Sequence, residues 1–135
     1  MATATTAARA ITREDLKKRT MAFAVRIIRL FRSLPRGKDA NIIGVLLLRC
    51  GTAVGANYHM ACRARLRADF ISKLGIVVEE ADESVFWIQL LSEAEILPEK
   101  RLLALRKEAT ELTAIFTAAR TTARKNDAKD RDEEQ

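Results

Sequence analysis

The sequence predicts an all-α protein, an antiparallel up-down-up-down four-helix bundle. Three observations carry this expectation. Four stretches repeat apolar or small residues at alternating spacings of three and four, which lays a line along one side of a helix. Only two prolines and five glycines interrupt 135 residues, so little of the chain is loop material. No alternating apolar–polar run marks a strand. The length suits one domain with one core.

The first helix is expected over about 12–34. Thr12 can cap the free N–H of Asp15. The seam that follows is Leu16, Thr20, Phe23, Ile27, Leu30 and Leu34, and Pro35 with Gly37 stops it. Asp39 is a natural cap for the second helix, about 40–63, with seam Ile43, Leu47, Cys50, Val54, Asn57 and Ala61. The third helix is expected over about 67–92, with seam Phe70, Leu74, Val77, Ala81, Ser84, Ile88 and Leu91. Between these two stands only the basic run Arg63–Arg67, with neither proline nor glycine. Pro98 suits the first turn of a fourth helix, about 98–124, along Leu102, Leu105, Ala109, Leu112, Phe116 and Ala119. Residues 1–11 read as a disordered arm. Residues 126–135 read as a disordered charged tail, where the apolar period dissolves.

Some apolar residues do not belong to any seam. Val45 and Leu48 lie off the seam of the second helix, and Ile76, Phe86 and Leu90 off that of the third. A helix apolar on several sides is usually buried on several sides. These five residues are therefore the expected interface of a homo-oligomer, which a glutamate at Phe86 or Leu48 should dissociate.

Charge is segregated along the chain. Residues 1–38 carry ten basic and two acidic side chains, whereas residues 69–98 carry one basic and seven acidic. The net charge is +6. A basic half facing an acidic helix suits nucleic acid, self-assembly or simply solubility. Arg63, Arg65 and Arg67, with Arg26, Arg29, Arg32, Arg36 and Lys38, are the candidate phosphate contacts, although at least one of the three bend arginines is expected to pair with the glutamates of a neighbouring subunit's third helix instead. With one tyrosine and one tryptophan, base stacking has little to draw on, so any RNA or DNA binding should be backbone-directed and salt-sensitive.

Chemistry is hard to place in this chain. His59 and Cys62 are three apart, but a metal needs three or four ligands and His59 is the only histidine. Glu79, Glu80, Asp82 and Glu83 have no nucleophile or partner base near them in sequence, and no phosphate loop or nucleophile elbow is present. No enzyme activity, cofactor, metal or small-molecule substrate is expected. The longest aliphatic run, Val45–Leu48, falls far short of a span of about 20 residues, so no membrane is expected. Two cysteines suggest no disulfide framework, which suits a reducing cytoplasm.

Three words of sequence carry a resemblance: LLLRCGTAVGANY from Leu46, CRARLRADFISKLGIVVEEADES from Cys62, and Trp87 before Leu90–Leu91. Together they resemble the bacterial 23S rRNA intervening-sequence proteins, from about Phe23 to Phe116. The resemblance implies an up-down bundle that assembles into rings of five, with no settled biochemical activity. It also brings a fold-level analogy to a basic bundle of diversity-generating retroelements, which binds nucleic acid and a reverse transcriptase. This chain departs from the pattern where Leu46 replaces a usual glutamine, Cys50 and Ala53 replace usual serines, and His59-Met60 replaces a more polar pair. All of these make the second helix less polar.

Asn57 on the second seam must find partners or cost a few kcal/mol. It is expected to fix helix register, with Arg49 and Glu80 completing a polar layer beside it.

Overall fold

A computed structural model describes residues 10–134, and all four expected helices are present: α1 Arg13–Ser33, α2 Lys38–Arg63, α3 Arg67–Glu93 and α4 Glu99–Glu134. Most of the expected N-terminal arm lies outside the described residues. α1 opens with a full capping box. The Asp15 N–H donates to Thr12 Oγ1 at 3.0 Å, and the Thr12 N–H donates back to Asp15 Oδ2 at 3.0 Å. α2 starts one residue before the expected cap, and Asp39 accepts from the Ala40 N–H at 2.8 Å within the first turn. α3 ends where Glu95 takes a left-handed φ of 58°, letting the Ile96 N–H reach the Leu91 carbonyl at 3.0 Å.

Side-chain contacts together with the short connections make every neighbouring pair antiparallel. A Cβ built on Gly44 meets Leu34, one on Gly51 meets Ile27, and one on Gly55 meets Thr20, so α2 ascends as α1 descends. Ser84 donates to Cys50 Sγ at 3.3 Å between α3 and α2. Arg120 of α4 lies over Gly75 of α3. Arg101 bridges α4 to the C-terminal end of α1, and Arg19, nearer the start of α1, bonds Glu108 further along α4. The result is the up-down-up-down bundle, in which α1 and α4 meet least closely of the four neighbouring pairs.

The core follows the seams closely in α1, α3 and α4. Phe23, Ile27, Leu74, Ile88, Leu102, Leu112 and Phe116 are fully enclosed. In α2 the buried arc is displaced, because Gly44, Gly51, Gly55 and Tyr58 are buried while Ile43 and Asn57 are only half-buried. This helix packs against both α1 and α3, so its buried arc is centred between them. α2 is also long and apolar enough to pass a length-and-composition test for a membrane span. Core helices pass the same test, and this one gives nine residues to the bundle's interior.

Helix α4 continues to Glu134 through residues expected to be disordered. An apolar period reports burial rather than helicity, and no proline or glycine interrupts this stretch. Asp127 pairs with Arg131 one turn on at 3.0 Å, and Asp130 pairs with Arg67 of α3.

Candidate functional site

Two surfaces stand out once the core is accounted for: an outer face on α2 and α3 that carries several exposed apolar side chains, and basic clusters at both ends, with Met21, Val25 and Leu103 exposed elsewhere on α1 and α4. On α2, Ile42, Val45, Arg49, Ala56 and Met60 are all exposed, and their spacing puts them on one side of the helix. Across the groove Arg49 reaches Glu83 at 3.6 Å. Glu83 also accepts from the Trp87 indole N–H at 3.1 Å. Phe86, 58% exposed, meets Trp87 edge-on with ring centroids 4.9 Å apart.

Of the five residues expected to face another subunit, Val45 and Phe86 stand in solvent while Ile76 and Leu90 are half-buried. Leu48 differs: it is half-buried and packs against the core. Ile42 and Met60, also exposed, extend the same face beyond the five residues expected to form it.

The basic residues do not form one surface. Arg63, Arg65 and Arg67 sit at the α2–α3 bend, while Arg29, Arg32 and Arg36 sit at the α1–α2 end. The length of α2, 26 residues, separates the two groups by about 39 Å at 1.5 Å per residue. The antiparallel topology forces this. At the bend, Arg13, Arg65, Arg67, Phe70 and Asn126 line an open groove of about 410 Å³. Arg13 lies 4.7 Å over the Phe70 ring, and Arg67 is already held by Asp130 and by the Asn126 carbonyl at 3.3 Å. Asp130 raises the Arg67 pKa, mainly through this hydrogen bond.

At the opposite end, a smaller groove of about 250 Å³ between α1 and α4 is lined by Arg26, Arg29, Leu30, Ser33, Arg101 and Leu105. Arg101 donates to Ser33 Oγ at 3.1 Å. Halfway along the same seam Arg19 clamps Glu108 at 2.6 and 2.9 Å and Glu111 at 2.8 Å. That clamp raises the Arg19 pKa, chiefly through the Glu108 hydrogen bond.

The expected polar layer forms differently. The Asn57 amide donates to the Ala53 carbonyl of its own helix at 2.9 Å rather than across the bundle. Arg49 pairs with Glu83 instead of Glu80. The buried polar contact between helices is Ser84 with Cys50, and Ser84 Oγ also donates to the Glu80 carbonyl at 2.8 Å. Glu80 Oε2 is buried with no hydrogen-bond partner. Desolvation, with repulsion from Glu83, pushes its carboxyl pKa up. Folding thus favours the protonated form, and stability is lost as pH rises from the ordinary carboxylate range through the raised value. Glu80→Gln removes the buried charge and is expected to raise Tm at pH 7; an unchanged or lower Tm would contradict that.

Burial likewise pushes the Cys50 thiol up to about 11, and Tyr58 is raised by the same cause. A raised folded pKa leaves stability intact below the unfolded value and erodes it above. Unfolding measured by denaturant is expected to become easier between pH 9 and 11, and less steeply so in Cys50→Ala. Equal pH slopes in parent and variant would refute Cys50 as a source.

His59 Nδ1 lies 3.0 Å from the Gly55 carbonyl of its own helix. No group of three metal-binding side chains occurs among the described residues.

Residues 13–118 match the family described as the 23S rRNA-intervening sequence protein. No curated protein matches the chain. Among solved structures, a similar one is the crystal structure of a protein of unknown function from the S23 ribosomal protein family of Bacteroides thetaiotaomicron. It is 31% identical with a TM-score of 0.75, over 81% of this chain and 97% of that one. Neither match indicates an enzyme family.

Proposed function

The chain belongs to the 23S rRNA-intervening sequence protein family, and from that premise we propose a non-enzymatic helical-bundle protein that self-assembles and serves as an interaction platform. The outer face of α2 and α3 is the assembly surface. The observation that carries this is the run of exposed large apolar side chains, Ile42, Val45, Met60 and Phe86, on adjacent helices. A lone bundle gains nothing from wetting such a stripe, and contiguous apolar patches mark interaction surfaces. Two helices, each about 10 Å wide and roughly 39 Å long, present about 800 Å², the area each partner gives to a stable interface. Five subunits in a ring is the arrangement the family resemblance favours. Light scattering at micromolar concentration is expected to give a mass several times the 15.1 kDa of one chain. A monomer would overturn the proposal.

A second reading, an accessory protein that binds RNA or DNA through a basic surface, is favoured by one observation. Three arginines that form no ion pair among the described residues, Arg26, Arg29 and Arg101, line one groove between α1 and α4.

A further inference from the structure

We infer that the groove between α1 and α4 beside the α1 C-terminus is a nucleic-acid contact site, in which Arg26, Arg29 and Arg101 hold backbone phosphates. This deepens the second reading above and rests on it. From Ala22 to Lys38 the chain carries five basic side chains and no acid. The nearest carboxylates on α4 are committed: Glu108 and Glu111 to Arg19, and Glu99 to Arg106 at 3.1 Å. Asp39, Glu93 and Glu95 stand at the same end of the bundle but do not line the groove, so its arginines have no carboxylate partner there.

Geometry then favours one occupant. Three guanidinium-bearing residues line one groove with Ser33 between them, and the hydrogen bond from Arg101 to Ser33 holds the α4 arginine toward α1. A fork of fixed N–H donors suits phosphate oxygens. The groove walls are Leu30 and Leu105, with no aromatic to stack a base. Contacts should therefore reach the backbone and carry little sequence information.

Position separates this site from the alternatives. In the cyclic order of helices, the α1–α4 side lies opposite the α2–α3 side. An assembly built through Val45 and Phe86 leaves the groove open, and each added copy multiplies weak contacts. The bend is a poorer site, because the acidic end of α4 already occupies Arg67 through Asp130.

The test measures binding of a labelled mixed-sequence RNA 20-mer by anisotropy across a potassium chloride series, with light scattering on every variant. The parent is expected to bind at low salt and release steeply as salt rises. Arg26→Gln/Arg29→Gln/Arg101→Gln should weaken binding at least tenfold and flatten the salt slope by about 2, from three phosphates at about 0.7 each. Arg63→Gln/Arg65→Gln should change affinity less than threefold, and both variants should keep the parental mass. If the bend variant loses binding and the groove variant does not, the location is wrong while the second reading stands. No binding by the parent at 50 mM salt sinks both. A groove variant of reduced mass would make this side an assembly contact. Tighter binding of the parent to phosphatidylserine vesicles than to RNA would assign the phosphates to lipid and overturn the proposal.

Discussion

Phe86→Glu is expected to separate the assembly into folded single chains. The side chain is 58% exposed and its ring meets that of Trp87, its neighbour in sequence. The isolated bundle therefore loses little when it is replaced, and helicity by circular dichroism should match the parent. In the assembly the glutamate would be buried without a partner beside Glu83. Such a charge costs several kcal/mol, repeated at every interface, so the dissociation constant should rise at least a hundredfold. Light scattering should then report about 15.1 kDa. A parental mass for the variant would move the interface elsewhere. Leu48→Glu, which the sequence suggested as an equivalent probe, is not one. Leu48 packs against the core, so its charge is expected to destabilise the protomer itself and lower Tm along with mass.

The difference between these two residues shows what the sequence could and could not disclose. Helical period sorts seam from surface when a helix has one buried arc, as in α1, where Leu16, Thr20, Phe23, Ile27 and Leu30 are all buried. It sorts poorly in α2, whose contact with α1 runs through glycines. There a reading keyed to large side chains assigned Asn57 to the seam and missed Gly44 and Gly51, because a glycine's burial comes from the approach of another backbone and leaves no apolar signal. Leu48 was misplaced for the same reason: the arc facing α1 was invisible.

The basic residues were legible one by one but not as a surface. Arg63 and Arg29 share a charge and nothing else, since antiparallel packing sends them to opposite ends. Following the up-down topology one step further would have paired the end of α1 with the start of α4, and hence Arg29 with Arg101. Asp130 was out of reach, because nothing in a charged tail announces that it continues as a helix toward Arg67.

The glycines of the bundle give the sharpest remaining test, since two of them should respond in opposite directions. Glycine inside a helix ordinarily costs about 1 kcal/mol relative to alanine, so a side chain should help wherever it fits. At Gly51 it does not fit. A Cβ there would lie 2.7 and 2.9 Å from Ile27 Cγ1 and Cγ2. Those atoms sit next to the α1 backbone, on a β-branched residue with no exposure and no alternative place to go. Gly51→Val must push α1 away from α2, and overpacking of this kind costs about 3 kcal/mol, or roughly 10 °C in Tm for a domain of this size. At Gly75 the nearest atoms belong to the guanidinium end of Arg120, at 3.1 Å. That end is the far tip of a flexible chain, and its Nε is buried without a partner, so displacing it costs no hydrogen bond at that atom. Gly75→Ala is expected to hold or raise Tm. Thermal melts of the two variants decide it: a Gly51→Val protein as stable as the parent would mean α1 and α2 are not in close contact there, and a large loss at Gly75→Ala would mean the Arg120 side chain cannot move aside.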